Sequence, residues 1–345
     1  MTPGESTFSI GLPVLLALLG SGAVVLPRYG LWARWCQARD LAARSQREDV
    51  LKHILKYEAA GRRPTIDSIA GALEIRSNRA AILLQDLEEH GLIFFEGGSL
   101  RLKPPGREMA LHIVRAHRLW ESYLAEQTGV AEQEWHQRAE RHEHLLTPQE
   151  ADELAAQLGH PTRDPHGDEI PEPNGDLPPE QGQPLHALAE NTPVIITHIE
   201  DEPKSVYARL CAEGLRAGMR AFVMEKSAHQ IRFWADGNVH MLATVLANNI
   251  SVVPSPEFNA RDLAEERFLS HLGPGQSGAV LGLSSACRGS ERRRLLDLGF
   301  VSGTRVEVEM VSPGGDPTAY RVRGTVVALR REQAGLIRME SAPPP

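Results

Sequence analysis

The C-terminal half of the chain contains an internal repeat, which restricts the fold more than any other feature of the sequence. Residues 209–225 (RLCAEGLRAGMRAFVME) align with residues 294–310 (RLLDLGFVSGTRVEVEM) at an offset of 85, and later apolar positions align at an offset of 87. Glycines and apolar residues agree together, and each copy contains one short helix and several strands of alternating polarity. We therefore predict two copies of one small β-barrel, at residues 185–254 and 274–340.

Composition sets limits on the function. The 345 residues are enough for several domains. The net charge is −8, so the chain as a whole is not basic, and any DNA binding must come from a local basic patch. The three cysteines, Cys36, Cys211 and Cys287, form no CxxC pair. This pattern is typical of a reducing compartment and argues against a cysteine-type zinc site.

Residues 8–27 form an uncharged run of twenty residues, about the length that crosses a bilayer. Five arginines follow between residues 28 and 47, with Trp32 and Trp35 at the expected interface. By the positive-inside rule this places the N-terminus outside and the bulk of the chain in the cytoplasm. Pro13, Gly20 and Gly22 weaken such a helix, and a buried core helix is the alternative. We predict a membrane anchor and basic juxtamembrane segment at residues 1–46.

The segment after the anchor predicts a winged helix-turn-helix over residues 47–106. Apolar periodicity indicates helices at about 48–58, 65–75 and 77–91, the second opening at Thr65 and the third closing at Gly91. Residues 94–103 read as two strands around Gly97-Gly98. Three helices followed by a hairpin is the order of that DNA-binding fold. A small helical bundle that does not bind DNA is the alternative.

Two further helices, at about 107–127 and 132–146, carry a set of histidines and glutamates. His117 and Glu121 lie four residues apart on the first, and residues i, i+4, i+7 and i+8 of the second share one face. That face carries His136, Glu140, Glu143 and His144. Imidazoles and carboxylates that converge from two helices are ligands for a divalent metal such as Mn, Fe or Zn. A solvated charged face is the alternative. The helical domain spans residues 107–160, and a linker rich in Pro, Gly and Asp spans 161–184.

Several stretches resemble the diphtheria toxin repressor family of metal-dependent bacterial regulators: REDVLKHI, RAHRLWESYL, WHQRAERHEH and HPTRDPHGDEIP. The resemblance covers about residues 47–171, and the two barrels resemble the SH3-like FeoA domain that such regulators often carry. It implies a homodimer that binds a palindromic DNA operator.

The resemblance also implies which residues bind metal. Asp49 matches a ligand position on the first helix, and the rest of the principal cluster corresponds to His117, Glu140, Glu143 and His144. Glu121 and His136, with His117, match the second site. Position 140 is cysteine in the iron-responsive branch and glutamate in the manganese-responsive branch, so Glu140 favours Mn²⁺, with Fe²⁺ as the second candidate. Lys52 departs from the manganese branch, which has a carboxylate there.

The resemblance implies a helix that reads DNA, but this chain departs from the family there, because the apolar run from Ala80 to Leu84 follows the start of the helix. The start of that helix carries Arg76, Ser77, Asn78 and Arg79, and phosphate contacts are assigned to Arg62, Arg63, Arg101 and Lys103. Residues 47–107 hold ten basic and nine acidic side chains. Because phosphate neutralisation supplies much of the affinity of such domains, this balance indicates weak DNA binding by one module, which dimerisation partly offsets.

The sequence thus predicts an α+β chain with an N-terminal transmembrane helix, a winged helix-turn-helix, a helical dimerisation domain and two SH3-like barrels. We expect a metal-dependent transcriptional regulator, tethered as a homodimer to the bacterial cytoplasmic membrane. The alternative is a cytoplasmic metal-sensing subunit that gates a metal transporter through protein contacts. An enzyme is not expected, because the carboxylates are used as ligands and no set of nucleophile, base and oxyanion donors is visible.

Overall fold

The computed structural model describes residues 31–96, 99–173, 175–178, 181–256, 267–284 and 286–340. The chain divides into two compact units, Met1–Ile113 and Val114–Pro345. Across the described residues, no helix combines the length and apolarity that crossing a bilayer requires. The anchor predicted at residues 8–27 lies outside the described residues.

The first unit has the helix and strand order that the sequence predicts. Thr65 caps the second helix through a reciprocal pair of hydrogen bonds with Ser68, and Gly91, with φ of +71°, follows the third helix. Leu51, Ile54 and Leu87 are fully buried. The elements of this unit are α1 (Leu31–Ala59), α2 (Ile66–Ala72), α3 (Ser77–Glu89), β1 (Ile93–Glu96) and β2 (Ser99–Leu102), the two strands pairing antiparallel.

Helix α1 is longer than the helix predicted at 48–58. It has 29 residues and begins at Leu31, within the segment that we assigned to the region before the DNA-binding domain. Residues 31–47 contain neither glycine nor proline, so nothing interrupts the helix. Polarity, which guided the prediction, says less about helix length than the absence of helix-breaking residues does.

Three helices follow the hairpin along the chain. They are α4 (Pro104–Gln127), α5 (Trp135–His142) and α6 (Pro148–Gln157), and the boundary between the two units falls within α4. Leu119 packs with Ala151, Leu154 and Ala155 in a buried cluster.

The helix predicted at 132–146 is wrong at both ends. Residues Glu132–Glu134 form a 3₁₀ turn, and α5 ends at His142, so Glu143 and His144 lie in a turn. Thr147 caps α6 with Pro148 at its first position. A residue before proline avoids the helical region, so α5 could not continue through Thr147.

Each of the two predicted repeats forms a six-stranded antiparallel sheet around its own apolar core. The first has the order β3-β8-β4-β5-β6-β7 and comprises β3 (Gln183–Pro184), β4 (Thr192–Ile199), α7 (Lys204–Ala212), β5 (Arg220–Lys226), β6 (Gln230–Ala235), β7 (Asn238–Ala243), α8 (Thr244–Ala247) and β8 (Ile250–Pro254). The second has the order β13-β12-β11-β10-β14-β9 and comprises β9 (Arg267–Phe268), β10 (Ser277–Leu283), α9 (Gly289–Asp297), β11 (Arg305–Val311), β12 (Thr318–Val322), β13 (Thr325–Leu329), α10 (Arg331–Ala334) and β14 (Ile337–Met339).

The repeat is confirmed element by element. Helices α7 and α9 are related by 85 residues, as are strands β5 and β11, and helices α8 and α10 are related by 87. The aligned glycines share a backbone conformation: φ is +76° at Gly214 and +94° at Gly299, and +88° at Gly218 and +79° at Gly303. These positive angles explain why glycine occurs at the same positions in both copies.

Candidate metal centre

Helix α4 supplies the first two residues of the centre. His117 and Glu121 lie one turn apart, as the spacing predicted, and the His117 Nε2 atom is 3.0 Å from Glu121 Oε1. Both side chains are buried, and Glu121 is only 1 % exposed. A carboxylate that is buried to this degree needs charged partners.

Helix α5 adds His136 near its first turn. Its Nδ1 atom lies 3.2 Å from Glu121 Oε1 and 3.2 Å from His117 Nε2. The three side chains can therefore offer one ligand atom each within 4.8 Å of one another. The structure thus brings together the three residues predicted for the second site.

The other ligands predicted on this helix differ in their burial and in the element that carries them. Glu140 Oε1 lies 3.5 Å from His136 Nε2, and its side chain is half exposed. Glu143 is buried and contacts His117 Nδ1, and its Oε1 atom is 3.7 Å from His144 Nε2. Glu143 and His144 reach these positions from the turn after α5, rather than from the helical face that the spacing argument assumed.

Asp49 lies on α1 in the first unit, where it is half-buried. The other six predicted ligands lie in the second unit. The participation of Asp49 in the principal cluster therefore stays a prediction.

Four residues of the centre were not predicted from the sequence. Asp164 and His166 come from the segment interpreted as a linker, and both are buried. Asp201 and Glu202 follow β4 of the first sheet. Asp201 Oδ2 lies 2.7 Å from His136 Nδ1, and Glu202 Oε1 lies 3.5 Å from His136 Nε2. The sequence signal for Asp164 and His166 was HPTRDPHGDEIP, which resembled the family without any derivable chemistry, and no motif pointed to Asp201 or Glu202.

A tight turn presents His166 to the cluster. The Asp164 Oδ1 atom accepts backbone N–H hydrogen bonds from His166, Gly167 and Asp168, at 2.8, 2.9 and 2.9 Å. Gly167 has φ of +102°, and a Cβ atom there would lie 1.9 Å from the carbonyl oxygen of Thr197 in β4. This position therefore requires glycine, because a side chain would displace the turn from the sheet.

His166 brings the turn into the cluster. Its Nδ1 atom lies 3.4 Å from Glu121 Oε2 and 3.7 Å from Asp201 Oδ2. Glu121, Asp164 and His166 form a second group that can converge on one ion, and Glu121 belongs to both this group and the one with His117 and His136. A third group consists of His136, Glu140 and Glu202.

In the buried cluster, histidines and carboxylates offset the effect of burial on one another's pKa. Burial alone would raise the pKa of Glu121, but His117 and His166 hold it well below its usual range. Burial disfavours a charged His166, yet Glu121 and Asp164 raise its pKa to about 10. Burial, with Asp168 nearby, raises the pKa of Asp164 to about 7. A proton on His166 thus balances part of the carboxylate charge.

The donor atoms fit a divalent metal. The Nε2 atom of His166 and the Oδ2 atom of Asp164 are buried and have no hydrogen-bond partner among the described residues, and His166 Nδ1 faces the carboxylates of Glu121 and Asp201. Buried polar atoms in this state are rare in proteins unless an ion or water uses them. The cluster offers imidazole nitrogens and carboxylate oxygens without thiolate, which suits Mn²⁺, Fe²⁺ or Zn²⁺. A bound ion would replace the protons that now balance the carboxylates.

The predicted DNA-contacting residues lie in the first unit, mainly on its surface. Arg79 donates a hydrogen bond to Gln46 of α1 at 3.1 Å, and Arg62 lies over the ring of Tyr57 at 4.2 Å. The exposed members are Arg62, Arg63, Arg76, Ser77, Asn78, Arg79 and Arg101, whereas Lys103 is half-buried. Their contacts with DNA stay predictions.

Two protein families match parts of this chain. Residues 103–172 match the iron dependent repressor, metal binding and dimerisation domain, and residues 268–341 match the FeoA domain. The first match contains all of the metal-centre residues except Asp49, Asp201 and Glu202.

Individual relatives agree with these matches. The iron-dependent repressor IdeR of Mycobacterium leprae is 33 % identical over 125 residues, which are 36 % of this chain and 54 % of that protein. A probable metal transport system membrane protein of Chlamydia trachomatis is 42 % identical over 81 residues, which are 24 % of this chain and 18 % of that protein. The chain thus spans about half the length of the repressor and less of the membrane protein.

Solved structures show the same similarity. A manganese-dependent transcriptional repressor in complex with manganese has a TM-score of 0.55 and 28 % identity, and the match covers 61 % of this chain and all of that one. Together with the sequence motifs, these matches confirm the resemblance stated from the sequence. Residues 103–172 are thus similar to the metal-binding and dimerisation domain of iron-dependent repressors, and residues 268–341 are similar to the FeoA domain.

Proposed function

We propose that this protein is a metal-dependent, DNA-binding transcriptional regulator. The observation that carries the proposal is the buried cluster around Glu121, in which three imidazoles and several carboxylates converge in the region that matches the repressors' metal-binding domain. The His166 Nε2 and Asp164 Oδ2 atoms have no hydrogen-bond partner there among the described residues. A divalent ion would use them, which favours metal binding over a purely structural role.

The ion is Mn²⁺ in this proposal, with Fe²⁺ as the second candidate. Carboxylate and imidazole donors suit Mn²⁺, and a repressor that binds manganese has a similar fold. His117, Glu121 and His136 would hold one ion, while the principal cluster implied by the resemblance consists of Asp49, His117, Glu140, Glu143 and His144. Asp164, His166, Asp201 and Glu202 extend the ligand set beyond the sequence prediction.

DNA binding is assigned to the first unit. Its three helices and hairpin have the order of a winged helix-turn-helix, and the residues at the start of α3 are exposed. Repressor relatives and the dimerisation domain support a homodimer that binds a palindromic operator. A metal ion that binds one arrangement of the protein better would shift the population toward it.

Two finer assignments belong to the same proposal. The six-stranded sheets are taken to be SH3-like barrels, supported for the second by its FeoA match. Residues 8–27 would tether the regulator to the bacterial cytoplasmic membrane with its bulk in the cytoplasm, because they are uncharged and precede a run of arginines. Retention of the full-length chain in carbonate-washed membranes tests the tether, and release into the wash argues against it.

A second candidate function is a metal-sensing subunit that gates a metal transporter without binding DNA. The similarity to a metal transport membrane protein favours it, as does a 38 % identity over 72 residues with a fused Fe²⁺ transport protein of Porphyromonas gingivalis. In that case α3 would contact protein rather than DNA.

A binding curve separates the two functions. The full-length chain in detergent is titrated onto duplexes from its own promoter region at fixed salt, with and without Mn²⁺, alongside the Arg79→Ala variant. Metal should tighten binding by the parent, and Arg79→Ala should lower the affinity by about tenfold, as expected for one arginine contact to a base. Equal, weak binding in all four conditions would favour the transporter subunit.

A further inference from the structure

Helix α3 has an apolar residue on its exposed face, outside the hydrophobic core. Leu83, Leu84 and Leu87 are at most 5 % exposed and form its buried side, whereas Ile82 is 58 % exposed. Ala81 and Gln85 are also exposed. A β-branched side chain in water on a helix has no stabilising role there, since it adds neither packing nor helix propensity.

The charges on α3 indicate what covers this face. The N-terminal end of the helix carries Arg76 and Arg79, whereas its C-terminal end carries Glu88 and Glu89. The positive end of the helix dipole adds to the basic side. A polyanion is therefore attracted to the first two turns and repelled from the last, and Ile82 lies at the end of the attractive half.

The major groove of DNA contains an apolar group that Ile82 could contact. The C5-methyl group of thymine is the apolar feature that the major groove displays, and aliphatic side chains contact it. Isoleucine cannot hydrogen-bond to any base edge, so it distinguishes bases only by this methyl group. Ala81 beside it is small and allows the helix backbone to approach closely.

We propose that Ile82 is a specificity-determining residue that reads a thymine methyl group in the operator. The inference rests on the proposed DNA-binding function and deepens it, because it names the base feature that is read. Each half-site of the operator then contains a thymine at one fixed position. Its recognition depends on the methyl group rather than on the hydrogen-bonding edge of the base.

Replacement of thymine by deoxyuridine removes the methyl group and leaves base pairing intact. Preferred duplexes are first selected from a random pool with the full-length, Mn²⁺-treated chain at fixed salt. Deoxyuridine is then placed at each enriched thymine in turn. One position per half-site should weaken binding about fourfold, the effect of one methyl group that is no longer buried, while the other thymines should show little change.

Variants assign the effect to Ile82. Ile82→Ala should bind the thymine duplex more weakly and bind the thymine and deoxyuridine duplexes equally. Val245→Ala is the matched control, since Val245 is also aliphatic and 74 % exposed, and it lies in the second unit. This control should keep the full discrimination. Thermal melting of each variant checks that its fold is intact, as expected for exposed positions.

The possible outcomes distinguish the role of Ile82 from the proposed metal-dependent binding of DNA. Tight metal-dependent binding with no position sensitive to deoxyuridine overturns the role of Ile82 and leaves the regulator intact. Discrimination that survives in Ile82→Ala also overturns it. The absence of any metal-dependent DNA binding overturns the proposed function and the inference together.

Discussion

The two units of this protein differ most in what they bury. The interior of the first is mainly aliphatic, with Leu51, Ile54 and Leu87 completely inaccessible to solvent, and it buries the acid Glu48, which pairs with Arg44 at 2.7 Å. The second buries Glu121 and His166 at 1 % and 2 % exposure, together with Asp164, His117 and Glu143. Aliphatic burial stabilises a fold by itself, whereas burial of an ion costs several kcal/mol unless partners compensate its charge. In the second unit the imidazoles and carboxylates compensate one another, and the metal-binding role that we propose accounts for their convergence.

The turn at Gly167 should be the most sensitive point of the charged interior. In Gly167→Ala the new Cβ would lie 1.9 Å from the Thr197 carbonyl oxygen, at a positive φ of +102°. We expect a loss of stability on the order of 3 kcal/mol in the second unit, because backbone strain and a clash act together. Urea denaturation of the Mn²⁺-free and Mn²⁺-treated chain measures it.

Gly159→Ala is the control for this change. Gly159 also has a positive φ, +76°, but no atom lies within 4 Å of its Cβ position. It should therefore lose only about 1 kcal/mol, the strain of the backbone alone. Equal losses in the two variants would contradict the packing of the turn against β4.

The aliphatic unit should respond to pH through a single half-buried histidine on α1. Burial, with Lys56 and Arg62 nearby, lowers the pKa of His53 to about 4. Between pH 6.5 and 4 the unfolded chain takes up a proton that the folded chain resists, so stability falls as the pH falls through this window. We expect a decrease on the order of 1 kcal/mol between pH 6.5 and 5.

Hydrogen exchange of the α1 amides at residues 50–55 measures this effect in the first unit. His53→Gln should flatten the pH dependence, because glutamine keeps a polar group near the Ser68 Oγ atom that His53 contacts at 3.1 Å but does not titrate. An unchanged pH profile in this variant would show that another group is responsible.

The sequence predicted the elements that depend on local patterns better than it predicted the charged cluster of the second unit. Periodicity and glycine placement predicted the helices and hairpin of the first unit and the repeat of the second, because these patterns are local. Gly214 and Gly299 have the same conformation because they occupy the same place in two copies of one motif.

Predictions were less complete for the metal centre. The i, i+4 spacing predicted that His117 and Glu121 lie together, as they do in the structure, but the helix end at His142 depends on Thr147 and Pro148, which lie beyond the periodic pattern. Asp164, His166 and Asp201 join the cluster through the folding of a polar segment and a loop after β4. No local pattern shows that such residues become buried, since their contacts are distant in sequence.

Calorimetric titration of Mn²⁺ into the full-length chain tests the central claim, that the charged interior of the second unit is a metal centre. Glu121 belongs to two of the ligand groups, so Glu121→Gln should weaken at least one binding event by tenfold or more. Glu309→Gln is the control, because Glu309 is an exposed carboxylate paired with Arg321, and it should bind as the parent does. Equal Mn²⁺ affinity and stoichiometry in the parent and in Glu121→Gln would contradict the account.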